Sequence, residues 1–290
     1  MKRIAILGCE NSHADAFIKI ARSDEKYKDV EIVGVYTDEP DVVERMKRDY
    51  GVYCAQSFDE FVGKVDGIMI TARDGNNHYK YAKPYLSAGI PMFIDKPITS
   101  DADEAVEFMK AVKLSGSRIC GGSSCPHAPE VVALAEKVRS LPTADVYGGF
   151  VRAPISMQNN YGGFFFYAQH ICEVTLKIFG YYPKSVMAYS NANVYTVVIR
   201  YDSYDVVCEM VDGNYLYYAY ASTNEGMIGS SYPVTSEIYT YEFEDFYDIL
   251  TGGKGKTDYR EFIAPVFVFN AIKKSIDSAE EVAVEEIGEI

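Results

Sequence analysis

The sequence lacks two features that would point to a membrane or to a nucleic acid. None of its apolar runs reaches about 18 residues, the length that a membrane-spanning helix needs. Basic residues are not clustered, and 42 acidic against 28 basic residues give a formal net charge of −14. Proteins that bind a phosphate backbone use grouped lysines and arginines to release counterions. We therefore expect neither a membrane nor a nucleic acid as partner.

The sequence also has no Cys-x-x-Cys pair among its six cysteines. The chain starts at Met1, enters an apolar strand at once and shows no Ala-x-Ala cleavage pattern. We therefore expect reduced thiols and a cytoplasmic location. Cys120, Cys125 and His127 lie near one another in sequence, but a structural zinc needs a fourth ligand and usually tighter spacing. We predict no metal site.

What the first half does contain is a regular alternation of strands and helices. Short apolar runs and amphipathic helical patterns follow each other over about 120 residues, which predicts a Rossmann-type, doubly wound parallel sheet in a domain of residues 1–122. The predicted strands cover residues 2–8, 30–36, 53–55, 67–72, 90–94 and 118–121. The predicted helices begin near residue 12 and cover 40–50, 57–60, 77–88 and 100–115.

The second half has a different pattern. Several strands are joined by short turns, one of them the hairpin signal Asp212-Gly213, and most of the 25 tyrosines lie here, while tryptophan is absent. We predict an α+β domain of residues 123–290 with a mainly antiparallel open sheet, one face of which meets solvent or a partner. The predicted strands are 144–152, 184–191, 194–201, 204–211 and 214–221. The predicted helices are 129–140, 164–179 and 258–275.

The loop after the first strand is short of glycine. A dinucleotide-binding fingerprint needs glycines for the tight turn and for close approach to the pyrophosphate, and only Gly8 is present. Glu10, which belongs to the candidate cofactor site, would be an obstacle there, because its carboxylate would lie near that phosphate group. If a dinucleotide binds, Gly8, Asn11 and Ser12 are the residues expected to line its pyrophosphate.

The acid that binds the adenosine ribose is expected at the end of the second strand. Thr37 stands there instead, and Asp38 follows one residue later. The choice between NAD and NADP therefore stays open at this point.

A lysine stands where a core strand ends. The apolar run of residues 90–94 stops at Asp95-Lys96-Pro97, and proline cannot continue the strand. The carboxyl ends of parallel strands are where ligands bind, although polar residues leading into a loop would look the same.

These motifs resemble the Gfo/Idh/MocA family of NAD(P)-dependent sugar and cyclitol oxidoreductases. Residues 88–97 (AGIPMFIDKP) are similar to the family segment that ends in Glu-Lys-Pro, with Asp95 in place of glutamate. Thr71-Ala72 followed by His78 resembles a strand end of the family with its histidine, and residues 246–253 resemble the family's C-terminal part. The resemblance implies that Asp95, Lys96 and the residues Thr71, Ala72 and His78 contribute to the cofactor site.

The resemblance also implies two catalytic residues. Lys96 would contact the reacting hydroxyl and the nicotinamide ribose and stabilise the developing alkoxide. In the segment that begins at Gly162-Gly163, His170 aligns with the family histidine, the candidate general acid/base. Phe166 stands where the family has aspartate. Without the resemblance, the favoured interpretation of His170 is a core histidine satisfied by a neighbour such as Glu173.

Two functions remain open from the sequence. The first is a dehydrogenase that transfers a hydride between NAD or NADP and a sugar- or cyclitol-like alcohol. The second is a member of the family that has lost redox chemistry and serves as a ligand-binding or regulatory protein, which the glycine-poor loop and Phe166 favour. In either case the resemblance implies a homodimer or homotetramer formed through the C-terminal sheet.

Overall fold

Five parallel strands form the first sheet. The computed structural model describes residues 1–290. The sheet has the order β2-β1-β3-β4-β5, so the chain passes from β2 across β1 to reach β3, and the C-terminal end of β1 is the topological switch point. The strands are β1 (Lys2–Leu7), β2 (Val30–Tyr36), β3 (Gly67–Ile70), β4 (Met92–Asp95) and β5 (Ile119–Gly122).

Four helices connect these strands. Each is amphipathic and buries part of its apolar face in the domain core, although α2 fully buries only Met46. The Rossmann-type fold predicted for the first half is confirmed. The helices are α1 (Ser12–Ser23), α2 (Pro40–Tyr50), α3 (His78–Leu86) and α4 (Ala102–Ser115).

Residues 53–60 form neither the predicted strand nor the predicted helix. Cys54 makes only a single bridge to Val35, and residues 57–60 form turns. The Glu60 carboxylate accepts hydrogen bonds from the Tyr53 hydroxyl (2.5 Å) and from the Gln56 N–H (2.8 Å). These local side-chain bonds compete with regular secondary structure.

The second sheet has seven strands in the order β11-β10-β6-β9-β8-β7-β12. All neighbours are antiparallel except β6 and β9, which run parallel, so the mainly antiparallel sheet is confirmed. The strands are β6 (Val146–Ile155), β7 (Ser185–Asn191), β8 (Val194–Arg200), β9 (Asp205–Asp212), β10 (Tyr218–Thr223), β11 (Gly226–Ser231) and β12 (Val282–Ala283).

The hairpin predicted at Asp212-Gly213 is wrong. Strand β10 pairs with β6 and β11, because β6 lies between β9 and β10. Arg152 on β6 holds this arrangement, since its guanidinium donates to the Glu209 carboxylate on β9 (2.7 Å) and to the Leu216 carbonyl just before β10 (2.9 Å).

Two long helices cover one face of this sheet. Helix α5 (Pro129–Ser140) leads into the second half, and α6 (Phe165–Phe179) and α8 (Tyr259–Ser278) pack on the sheet. The opposite face carries no element of the chain. None of the helices combines the length and the apolar composition that a membrane span requires.

Helix α7 (Ile238–Leu250) was not predicted, and it packs on the first sheet. Phe243 and Phe246 are fully buried in the same core as Phe17 of α1, and the Phe17 and Phe243 rings lie 5.9 Å apart. A segment that lies late in the chain thus completes the N-terminal core and carries side chains to the ends of its strands.

Candidate active site

Lys96 is buried at the C-terminal end of β4. Its main-chain N–H donates to the carboxylate of Asp95 (2.6 Å), and its ammonium donates to the Phe166 carbonyl (3.2 Å). The ammonium also lies 4.3 Å from the centre of the Phe166 ring and 5.3 Å from that of Tyr167. Burial lowers the pKa of Lys96, although the nearby Asp95 opposes that shift.

Phe166 stands where an aspartate is expected from the sequence, and it makes two weaker contacts with the Lys96 ammonium. Its carbonyl and its ring hold the ammonium without supplying a negative charge. Lys96 forms no ion pair in the structure, and at least two of its three N–H groups remain available to a ligand.

His170 lies on α6, and its ring meets the loop that follows β5. Its Nδ1 is 2.6 Å from the Ser123 hydroxyl and 3.4 Å from the Cys125 thiol, while its Nε2 has no hydrogen-bond partner in the protein. Its ring centre lies 5.3 Å from that of Tyr167, which also faces Lys96. Burial, followed by the positive charges of Lys96 and His13, holds the pKa of His170 well below its usual range, so the imidazole is neutral at pH 7.

Glu173 is not the partner of His170. Its carboxylate accepts hydrogen bonds from the Ser123 N–H (2.8 Å) and from the Gln169 amide. Gln169 in turn accepts from the Ile98 N–H (3.0 Å), which ties α6 to the loop that follows Lys96. Glu173 is therefore not the neighbour that satisfies His170, because the helix turns the two side chains toward different atoms of the β5 loop. The buried His170 is satisfied by Ser123 instead, so its catalytic role stays a prediction.

Asn11 and His13 connect the first loop to Asp95. Asn11 caps α1 by accepting from the His13 N–H (2.9 Å), and its amide donates to the Thr71 carbonyl (2.9 Å) and to Asp95 (3.1 Å). The buried His13 ring lies between two buried carboxylates, with Asp95 at 3.3 Å and Glu242 of α7 at 3.4 Å. Burial acts to lower the pKa of His13, but these two carboxylates together raise it.

Sequence reasoning missed His13, Glu242 and Ser123. A usable signal existed for His13, which stands where the dinucleotide fingerprint has its third glycine, five residues after Gly8. Glu242 lies on the unpredicted α7, and nothing in its local sequence points to Asp95. Ser123 is the first of two consecutive serines, and only its contact with His170 in the folded protein indicates a role in the site.

The residues of the first loop can accommodate a dinucleotide. The turn at Gly8 has a φ of +86°, and a Cβ there would lie 2.3 Å from the Ala72 backbone, so only glycine fits. The N–H groups of Asn11 and Ser12 make no hydrogen bond within the protein, and they stand at the N-terminus of α1, where a phosphate group is favoured. The Ser12 hydroxyl lies 3.0 Å from that of Tyr239.

Glu10 turns away from these N–H groups. Its carboxylate accepts a hydrogen bond from the Thr37 hydroxyl (2.7 Å) and is 3.4 Å from the Arg73 N–H. Burial raises the pKa of Glu10, while the bond from Thr37 opposes the rise. Asp38, the next residue after Thr37, is exposed.

Thr71, Ala72 and His78 are buried behind the loop. The Thr71 hydroxyl donates to the Gly8 carbonyl, and His78 Nε2 lies 2.9 Å from the Ala72 carbonyl. Burial lowers the pKa of His78 despite the charge of Asp95. The Thr71 side chain thus holds the ends of β1 and β3 together, and His78 joins the start of α3 to the segment that follows β3.

The structure brings no three histidine, cysteine, aspartate or glutamate side chains together as metal ligands. Cys125 contacts His170, whereas His127 lies 3.8 Å from Asp245 of α7. All six cysteines are free and buried.

Comparisons with known proteins were made once this geometry was in hand. Residues 2–122 match the model of the oxidoreductase family with an NAD-binding Rossmann fold, GFO_IDH_MocA. No curated protein matches the chain.

Several solved structures share the fold of the whole chain. An apo scyllo-inositol dehydrogenase from Lactobacillus casei has a TM-score of 0.82 at 13% identity, with 98% of each chain covered. The WlbA dehydrogenase from Bordetella pertussis, in complex with NADH and UDP-GlcNAcA, has a TM-score of 0.81 at 15% identity, with 99% of each chain covered. GenD2 from gentamicin A biosynthesis, in complex with NAD, has a TM-score of 0.83 at 15% identity, with 98% of this chain and 97% of that chain covered. Residues 2–122 thus match the Gfo/Idh/MocA oxidoreductase family with its NAD-binding Rossmann fold, and the whole chain has the fold of dehydrogenases of known structure. The resemblance inferred from the sequence is confirmed.

Proposed function

We propose that the protein is an NAD(P)-dependent dehydrogenase that acts on a sugar- or cyclitol-like alcohol. The observation that carries this proposal is Lys96, a buried ammonium without an acidic partner at the C-terminal end of a parallel strand, beside the neutral His170. The similar structures named above include an inositol dehydrogenase and a dehydrogenase that holds a nucleotide sugar, which supports the substrate class.

In this proposal Lys96 and His170 have different roles at the substrate hydroxyl. Lys96 donates a hydrogen bond to the hydroxyl oxygen and stabilises the negative charge that develops there as the C–H bond breaks. His170 takes up the hydroxyl proton at Nε2 and returns it in the reverse reaction, because Nδ1 is already engaged by Ser123. A bound nicotinamide supplies the hydride acceptor.

The residues that would hold the cofactor lie along the ends of β1 to β4. The N–H groups of Asn11 and Ser12 would bind the pyrophosphate, and the loop after β2, with Thr37 and Asp38, would meet the adenosine ribose. Asp95 and Lys96 would meet the nicotinamide ribose. Thr71, Ala72 and His78 support this surface from behind.

A second candidate function rests on Phe166. Because the family aspartate is absent and Lys96 donates to the Phe166 carbonyl, the site around Lys96 could bind a polyol without oxidising it. In that case the protein would be a ligand-binding or regulatory member of the family.

The uncovered face of the second sheet supports a homodimer or homotetramer. Strands β6, β9 and β10 present Phe150, Val207 and Tyr220 on this face, each only partly buried within the single chain. A second copy would remove these apolar and aromatic side chains from water. Sedimentation of the protein with and without Val207→Glu tests this assembly, which should fall apart in the variant.

The experiment that tests the proposed function is a titration with NADH and NADPH, followed by nicotinamide fluorescence. Micromolar binding of at least one of them, followed by reduction of NAD or NADP in the presence of a cyclitol or sugar, is the expected result. Binding without turnover on any polyol would favour the second candidate. If neither NADH nor NADPH binds, the first candidate function is overturned.

A further inference from the structure

Glu10 lies across the topological switch point of the first sheet. It occupies the place of the second glycine of the dinucleotide fingerprint. Its carboxylate joins the end of β2, through the Thr37 hydroxyl at 2.7 Å, to the segment after β3, through the Arg73 N–H at 3.4 Å. The residue is only 8% exposed, so the carboxylate is held in this position.

The position matters because the end of β2 lacks its usual acid. In NAD-binding proteins of this fold, a carboxylate there accepts hydrogen bonds from the ribose hydroxyls. Here Thr37 occupies the strand end and uses its hydroxyl to donate to Glu10 Oε1. Glu10 Oε2 receives only the long contact from Arg73, so it can still accept a hydrogen bond from a ribose hydroxyl.

The two guanidinium groups near Thr37 are already engaged. Arg45 of α2 pairs with Asp15 (2.6 Å) and donates to the Cys9 carbonyl (2.7 Å). The Arg73 guanidinium donates to the Tyr161 hydroxyl (2.5 Å) and stacks on its ring at 4.4 Å.

The third nearby cation, the exposed Lys80, forms no ion pair and lies 5.5 Å from the centre of the Phe58 ring and 5.7 Å from that of Tyr81. The remaining charges around Thr37 are the acids Glu10, Asp38 and Glu39. A 2′-phosphate would therefore meet three carboxyl groups, no free guanidinium and a single exposed ammonium.

We propose that Glu10 supplies, from the first loop, the carboxylate that binds the adenosine ribose hydroxyls, and that it makes the protein selective for NAD over NADP. The inference rests on the proposed function, since it takes for granted that a dinucleotide binds. It assigns a positive role to the residue that the sequence alone marked as an obstacle to binding.

The test is the ratio of the NADPH dissociation constant to the NADH dissociation constant, measured by calorimetry on three proteins. Wild-type protein is expected to bind NADH at least about tenfold more tightly than NADPH. Glu10→Gln keeps the size of the side chain and its bond from Thr37 but removes the charge, so NADPH binding should improve and the ratio should fall to about threefold or less. Glu44→Gln, an exposed acid on α2, is the control and should leave the ratio unchanged.

Three outcomes would count against the inference in different ways. A wild-type preference for NADPH, or a ratio that Glu10→Gln leaves intact, overturns it while the proposed function stands. Failure of both dinucleotides to bind wild-type protein overturns the proposed function as well. If Glu10→Gln does not fold, as judged by circular dichroism, Thr37→Val provides the same test. This variant removes the hydroxyl that holds the Glu10 carboxylate in place, so the ratio of the two dissociation constants should also fall.

Discussion

At the residue scale, the defining feature of the site is that no carboxylate forms an ion pair with the lysine. Asp95 is satisfied by the Lys96 N–H, Asn11 and His13, and Phe166 presents an aromatic face to the ammonium. The ammonium is therefore held by a carbonyl and by π faces, which leaves its charge available to a developing alkoxide.

His170→Gln is expected to lower kcat by about 10²–10⁴-fold, the range for loss of a general acid/base. The NADH dissociation constant should change by less than about threefold, since His170 lies on α6 and not on the cofactor loops. The matched control is His127→Gln, whose imidazole faces Asp245 on α7. Steady-state kinetics and NADH titration check both variants. An equal loss of kcat in the two variants would show that His170 is not the general acid/base.

Phe166→Asp is expected to move the alkaline limb of the pH–rate profile upward. A carboxylate beside Lys96 favours the charged ammonium and raises its pKa, by about 1–3 units for a close opposite charge, whereas burial now lowers that pKa. The limb marks loss of the ammonium proton, so it should shift to higher pH. Phe166→Leu, which adds no charge, should show no upward shift. A downward shift in Phe166→Asp would contradict this description of the lysine.

At the element scale, the strands and helices of the first half were largely predictable, because local periodicity and capping decide them. Helix α2 and helix α5 have the predicted bounds. The prediction of a strand and a helix in residues 53–60 was wrong because hydrogen bonds to the Glu60 side chain replace regular structure there. The hairpin at Asp212-Gly213 failed because strand β6, distant in sequence, inserts between the two strands.

Helix α7 shows the limit of such reasoning most clearly. Its residues give no sign that they pack on a sheet formed by the first 122 residues, yet they bury Phe246 and bring Glu242 to His13. Lys96 and His170 could be proposed as site residues from the sequence, since a strand end and a family motif mark them, and that assignment stays a prediction. The network through Ser123, His13 and Glu242 could not, because only tertiary packing brings these residues together.

Phe246→Ala is expected to lower the free energy of unfolding by about 3–5 kcal/mol, the cost of removing a fully buried phenylalanine. The loss arises in the N-terminal core, where Phe246 packs 6.4 Å from the Phe243 ring. Tyr241→Ala removes an aromatic side chain of α7 that is 39% exposed and should cost far less. Urea unfolding measures both, and similar losses for the two variants would contradict the docking of α7 on the first sheet.

At the scale of the whole molecule, stability should depend on pH through enclosed carboxyl groups. Burial raises the pKa of Glu173 to about 7, above its ordinary value. A raised carboxyl pKa means that the folded protein binds the proton more tightly than the unfolded chain does, so stability falls as pH rises from about 4.5 to about 7. Lys256 opposes this shift, and Glu242 adds to it.

Glu173→Gln should therefore be more stable than wild type above pH 7, by about 1–3 kcal/mol, with no gain near pH 4.5. The amide oxygen of glutamine can still accept the Ser123 N–H, so the loop after β5 is retained. Thermal melting across this pH range measures the difference, with Glu136→Gln, an exposed acid on α5, as control. A gain that is the same at every pH would show that the charge of Glu173 is not its cause.

The account as a whole depends on Lys96 acting in turnover at the substrate hydroxyl, with its contact to the nicotinamide ribose adding little to the affinity for NADH. The most direct measurement is a comparison of wild type, Lys96→Met and the exposed control Lys110→Met, with NADH affinity and NAD reduction on a panel of cyclitols and sugars followed in parallel. The account predicts that Lys96→Met loses about 10²–10³-fold in kcat with an NADH dissociation constant within about threefold of wild type, while Lys110→Met is unchanged. Equal turnover in Lys96→Met and wild type, or a loss that lies entirely in NADH binding, would contradict it.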